Sequence, residues 1–319
     1  MAQTYNTLAH LVRFNDRNVE DLGLSDLLQD APLLAVMNAR LATQETVHKY
    51  IKETTASGAA FRAENVGLEK THSVDTLVTE TLKIIDASYH VDVALADGYR
   101  GGRDAFLQVE LERSMRTIFS TLERQVLNGT KAGDLGGNAA GFAGLADVHE
   151  DLGTMCISAG GGEAAKQTSC YLIRHDDRNV SYILGRDGNF VVEEEPTIIQ
   201  AYSDDDADLG YPALYVPVLG WGGFQRGGAY SSARIANIET NVMTATDAFT
   251  DDNIYAALSL FPSGRQPNAI VMNRDALRLL RQSRTATNAT GAPAPRPTEV
   301  EGLPIIVTDS IKSTETPIT

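Results

Sequence analysis

Glycine, acid, histidine and arginine clusters are where this chain could carry chemistry. Its densest glycine run is Gly129-Thr130-Lys131-Ala132-Gly133-Asp134-Leu135-Gly136-Gly137, continuing to Gly141-Phe142-Ala143-Gly144-Leu145. Such a loop could cradle phosphate with its backbone N–H groups, but a phosphate loop carries Lys and Ser or Thr directly after its last glycine. Neither follows here, so the glycines read as tight turns and close packing. The run Asp204-Asp205-Asp206-Ala207-Asp208 invites calcium. Counted as an EF-hand from Asp204, it places Leu209 at the turn glycine and Tyr215 at the bidentate Glu, and it reads instead as a solvated loop. The histidines at 10, 48, 72, 90, 149 and 175 show no HxH or HExxH spacing. No nucleophile elbow occurs. Glu193-Glu194-Glu195 are adjacent carboxylates that point to different faces of a strand, while Asp251 and Asp252 read as helix N-terminal acids. Arg274, Arg278 and Arg281 form a cationic stripe at helical spacing, opposite Leu277 and Leu280. That stripe reads either as a solvated helix face or as a subunit contact or screen for an internal polyanion. The expectation is no catalytic residue, no cofactor and no metal.

The whole chain sets further bounds. Its 319 residues suffice for a sizeable core. Acids exceed bases, 42 to 27, for a net charge of −15. That balance disfavours a DNA-reading protein, though not a container whose wall need not grip its contents. Residues 151–250 carry 6 bases and 14 acids, whereas 251–319 carry 7 of each. Cys156 and Cys170 are too few for a disulfide framework and read as reduced thiols of a cytosolic product. The N-terminus shows no signal peptide, and no run approaches the length of a membrane span.

The elements that must position these residues begin with a polar stretch, 1–24, and a short helix from Ser25 to Met37 in which Pro32 is an early helical position. Two β-like runs follow, Thr46–Thr55 and Asp75–Asp92, around the small polar segment 56–74. Paired over about 12 residues each, they would form an arm of roughly 40 Å. Such a hairpin is marginal alone, so it must lie on something else. Its tip holds Phe61, Val66 and Leu68 among Arg62, Glu64, Glu69 and Lys70, and Phe61 is of use there as a contact with a neighbour. Leu107, Leu111, Met115, Ile118, Leu122 and Val126 then mark a long amphipathic helix over 103–128, ended by Asn128-Gly129. Period-two patterns from Ser169 to Ile238 predict at least four strands. A helix at 251–260, a strand at 269–272, a helix at 275–283 and a buried strand after Gly302 return to α/β character. The fold class is α+β.

This order of elements resembles a tailed-bacteriophage major capsid protein of the Hong-Kong-97-type fold. The resemblance is carried by the polar arm, the hairpin, the long helix ending in Asn-Gly, and Gly141-Phe142-Ala143-Gly144-Leu145. Asp252–Leu258, Pro267–Arg274 and Gly302–Thr308 are similar to that family's axial domain, and Ser231–Glu239 to the Arg-Ile-Ala-Asn-Ile stretch of one subfamily. The resemblance implies an N-terminal arm (1–40), an E-loop lying across an adjacent subunit (41–95), and the peripheral domain's spine helix and glycine-rich loop (96–145). A β-rich peripheral segment (146–245) and an axial domain (246–319) complete it. Here the β-rich segment precedes the axial one, the reverse of the commonest family order. Some relatives weld subunits through a Lys–Asn bond; Lys70 lies in the tip, but no matching Asn or Glu is identifiable.

The function implied is a shell subunit, assembling through hexamers and pentamers around double-stranded DNA that it does not read. Its partners would be copies of itself, with scaffold, portal and decoration proteins, and no membrane. Its place would be the virion, after assembly in the host bacterial cytoplasm. Intersubunit contacts are expected at Phe61, Val66, Leu68, Lys70, Arg274, Arg278 and Arg281. The alternatives are an encapsulin-type nanocompartment, which would need an inner groove for cargo peptides, and a soluble α+β enzyme using the loop 129–144, which would form a small stable oligomer.

Overall fold

The 26-residue helix Arg103–Asn128 is the axis of the fold. Its apolar stripe buries Met115, Ile118, Phe119, Leu122 and Val126, and its C-terminal half is covered on several sides. Glu110 and Arg113 pair on its outer face at 2.5 Å, whereas Glu112 and Arg116 do not. In this computed structural model, residues 8, 13–14, 17–18, 28–55, 58–67, 72–133, 135–185, 188–192, 196–202, 209–228, 230–241, 249–286, 288 and 292–319 are described.

A seven-stranded sheet packs on the long helix. Its central strand, Val218–Arg226, pairs antiparallel with Val180–Leu184, Asn189–Val192 and Lys83–Asp86. Ala39–Leu41 runs parallel to Val180–Leu184. Phe119 of the helix meets Phe190, and Phe142 meets Tyr182 and Phe224, with ring centroids 6.2–6.4 Å apart. Gly222 makes this approach possible, because a Cβ there would lie 2.1 Å from the Tyr182 hydroxyl. A three-stranded sheet of Thr197–Tyr202, Gly210–Val216 and Tyr89–Asp92 adjoins it.

The third sheet has the order Glu299–Val300, Leu303–Val307, Ala269–Met272, Gln167–Ile173, Ser232–Glu239, Cys156–Ser158. It divides two cores. Tyr171, Ile173, Ala269 and Val271 face the core built on the long helix. Cys170, Leu172, Ile270 and Met272 face the helices Asp251–Leu258 and Arg274–Ala286. The parallel pair Ala269–Met272 and Leu303–Val307 is joined through the second of these helices, the crossover a parallel pair requires.

The segment 146–245, expected as one β-rich piece, is split between sheets. Residues 156–158, 167–173 and 232–239 join the sheet that holds 269–272 and 303–307, while 180–184, 189–192 and 218–226 join the sheet of 39–41 and 83–86, and 197–202 and 210–216 join that of 89–92. The physical reason is burial on both faces. All seven residues of Gln167–Ile173 are buried, the mark of an interior strand covered on each side. The expected return strand Asp75–Asp92 is likewise divided, into Val74–Thr81, Lys83–Asp86 and Tyr89–Asp92, which enter three different sheets. Leu82 lies at the first division with 1% of its surface exposed, packed on Ala42 and Ile183. The arm therefore spans nine and eight residues, about 30 Å. Pro32 opens the short helix Pro32–Val36 at its first position; the expected start at Ser25 lies outside the described residues.

Candidate assembly surfaces

The arm is fixed at its root and bare at its end. At the root, His48 Nε2 is 2.8 Å from Gln225 Oε1, and the Tyr50 hydroxyl donates to the Arg226 carbonyl at 3.0 Å. Arg226 in turn faces Glu80 at 3.8 Å. Burial lowers the pKa of His48 and raises those of Tyr50 and Glu80, so a neutral imidazole sits at the joint. Beyond it the apolar side chains are left uncovered by the described residues. Ile51 is 70% exposed, Leu77 62%, and Phe61 wholly exposed. Val66 is also exposed, whereas Leu68 and Lys70 lie outside the described residues. A two-stranded ribbon with this many bare apolar residues has the form of a part awaiting a partner.

The arginine stripe opens onto a cleft of about 800 Å³ between the long helix and the helix Arg274–Ala286. Arg274, Arg278 and Arg281 all line it, joined by Arg124 and Arg296. The latter two carried no signal in the sequence, since neither belongs to a run of like charge. Arg274 faces Asp309 at 3.3 Å, and Arg278 faces Asp275 at 3.8 Å.

The glycine-rich loop is occupied by its own side chains. Gln125 Nε2 donates to the carbonyls of Gly129, Asn138 and Phe142 at 2.6–3.1 Å. The Asp147 carboxylate accepts from Thr130 N, Thr130 Oγ1 and Gly144 N at 2.7–2.9 Å. Gly129 sits at φ +59°, where a Cβ would fall 1.8 Å from Asp147 Oδ2. Close packing thus explains Gly129, Gly137, Gly141 and Gly144, while Gly133 meets nothing and sits at φ +81°.

Two buried ion-bearing knots tie distant segments together. The Glu123 carboxylate accepts from Leu33 N (2.8 Å), Leu34 N (3.3 Å), Ser310 Oγ (3.1 Å) and Thr308 Oγ1. It thereby caps the helix Pro32–Val36 from outside. Burial raises its pKa against these donors. Arg234 pairs with Glu315 at 3.0 Å and donates to the His149 carbonyl at 2.8 Å, holding the C-terminal segment on the sheet. His149 is pushed down to about 4 by burial and then by the Arg234 charge. Sequence reasoning missed both knots; the only sign of the first is that Glu123 falls in phase with Phe119 and Val126 on an apolar face.

Asp251 and Asp252 do stand in the first turn of Asp251–Leu258, and Asp251 also takes both arms of Arg284 at 2.6–2.7 Å. The runs 193–195 and 204–208 lie outside the described residues. Cys156 and Cys170 are buried and free. Among the described residues no group of three or more His, Cys, Asp or Glu could hold a metal, and no helix is long and apolar enough to cross a membrane.

Comparison with known proteins places this architecture. No curated protein matches. A chain of bacteriophage Epsilon15 superposes with a TM-score of 0.56 at 16% identity, over 88% of this chain and 87% of that one. A bacteriophage JBD30 capsid chain gives 0.47 at 9% identity, over 90% and 92%. An encapsulin chain from Synechococcus elongatus gives 0.46 at 9%, over 72% and 98%. The fold is thus that of the Hong-Kong-97-type phage capsid proteins. The family described as Major capsid protein GP7 matches residues 24–319. This fold, and a family match over nearly all its length, make this chain a member of the major capsid protein GP7 family and a shell-forming capsid subunit of the virion.

Proposed function

We propose that copies of the chain meet as hexamers and pentamers, each laying its arm across an adjacent copy. The observation that carries this reading is the contrast between the arm's buried root at His48 and Leu82 and its bare length at Ile51, Phe61 and Leu77. Burying each of these large side chains on a neighbour would contribute roughly 2 kcal/mol, and a closed lattice sums many such weak contacts. In this reading residues 1–40 are the N-terminal arm, 41–95 the E-loop and 96–145 the spine and its loop. The strand pairing supports an axial unit larger than 246–319, with 156–173 and 232–239 added to it. Phe61, Val66, Leu68 and Lys70 carry the contact at the arm's tip. The shell encloses double-stranded DNA without reading it, a role that the net charge of −15 supports. Scaffold, portal and decoration proteins join it during assembly in the host bacterial cytoplasm, and the chain performs no catalysis.

Negative-stain electron microscopy of the purified chain tests the symmetry. Rings of five and six, or shells built of both, are expected. A uniform dimer or trimer that never assembles would overturn the reading. Nucleic acid rather than an enzyme inside recovered shells distinguishes a virus from a nanocompartment.

A further inference from the structure

Five guanidinium groups converge on the cleft beside the long helix. Arg124 comes from that helix, Arg274, Arg278 and Arg281 from the helix Arg274–Ala286, and Arg296 from the segment after it. Among the described residues, Asp30 and Asp309 are the acids lining the same cleft. In a chain with a net charge of −15, this is a local reversal of sign on a concave surface. Arg278 donates to the Thr240 carbonyl at 2.6 Å and Arg281 to the Ala294 carbonyl at 2.8 Å, which orients both groups. Arg124 and Arg296 are exposed and make no hydrogen bond or ion pair among the described residues. Between them lies an apolar floor of Leu277, Pro297 and Val307.

Guanidinium forks suit carboxylates and phosphates alike. The floor separates the two. A duplex backbone has no apolar side chains to lay on it. We infer that this cleft is a docking site for an acidic, amphipathic polypeptide segment. Its carboxylates meet the uncommitted guanidiniums of Arg124 and Arg296, and its apolar side chains rest on Leu277, Pro297 and Val307.

The test uses the full chain before assembly, so its outcome stands apart from shell closure. A fluorescein-labelled peptide of Glu and Leu in amphipathic helical repeat is titrated with the protein near physiological salt, by anisotropy. Arg124→Glu with Arg296→Glu is expected to weaken binding by at least about tenfold with an unchanged melting temperature, because neither side chain has a partner to lose among the described residues. Arg62→Glu with Arg100→Glu, an equal change of net charge at exposed positions elsewhere, leaves binding within about twofold of the parent, as surface screening allows. Equal loss from both pairs would reduce the effect to net charge and overturn the inference. So would displacement of the peptide by duplex DNA of matched charge. Self-association that the cleft pair abolishes, without any peptide binding, would assign the cleft to a second copy and overturn it as well.

Discussion

Glu123 shows how one side chain can join three parts of this chain. Its carboxylate is wholly buried and takes four donors, two from the start of the helix Pro32–Val36 and two from the segment after Leu303–Val307. Pro32 has no N–H to offer, so the next two amides are the ones left for an outside acceptor. In Glu123→Gln the amide keeps its shape but presents N–H groups to donors. Thermal unfolding of the unassembled subunit should show a loss of about 2–4 kcal/mol; an unchanged melting temperature would remove Glu123 from this role. His149 gives the pH dependence. Its folded pKa of about 4 lies below its ordinary value of 6.5, so the folded state binds fewer protons between the two. The stability it contributes is complete above 6.5 and is lost as pH falls toward 4, about 3 kcal/mol in all. Glu123 and Glu315, raised by burial, act in the opposite sense and offset part of that loss. His149→Gln should flatten the fall in melting temperature between pH 6.5 and 4, and a slope equal to the parent's would contradict this assignment.

At the scale of elements, local pattern was enough wherever an element has one buried face or none. The long helix announces itself by its apolar spacing from Leu107 to Val126, and Phe61 by its place in a polar tip. Pattern found the strands that are covered on both faces but not the strands they pair with. Gln167–Ile173 looks alternating because Tyr171 and Ile173 stand out, yet Ser169 and Cys170 are buried as fully, and its partners at 269–272 lie nearly a hundred residues away. The arginine cleft failed for the same reason, since Arg124 joins Arg274, Arg278 and Arg281 only through the fold. The glycine-rich loop lies between these cases. Its composition spoke of close packing, but the fillers, Gln125 and Asp147, are visible only in three dimensions. Gly129→Ala places a Cβ against Asp147 at a positive φ, and it should cost at least about 2 kcal/mol in subunit stability. A variant that melts with the parent would show that the loop can relax at no cost.

For the molecule as a whole, the sheet Glu299–Val300 to Cys156–Ser158 is a wall between two cores. The body encloses two cores, while the arm has none of its own. This division of labour suits a subunit that must be soluble before it assembles. Its core is closed by Glu123 and Arg234, and bare apolar residues are held at a distance on a ribbon. The measurement that tests this most directly is electron microscopy, with size-exclusion chromatography, of the chain lacking residues 56–74 beside the intact chain. A folded, soluble subunit that melts like the parent but closes no shell is the predicted result. Normal particles from the deleted chain would contradict the account, because closure would then not depend on the arm's reach.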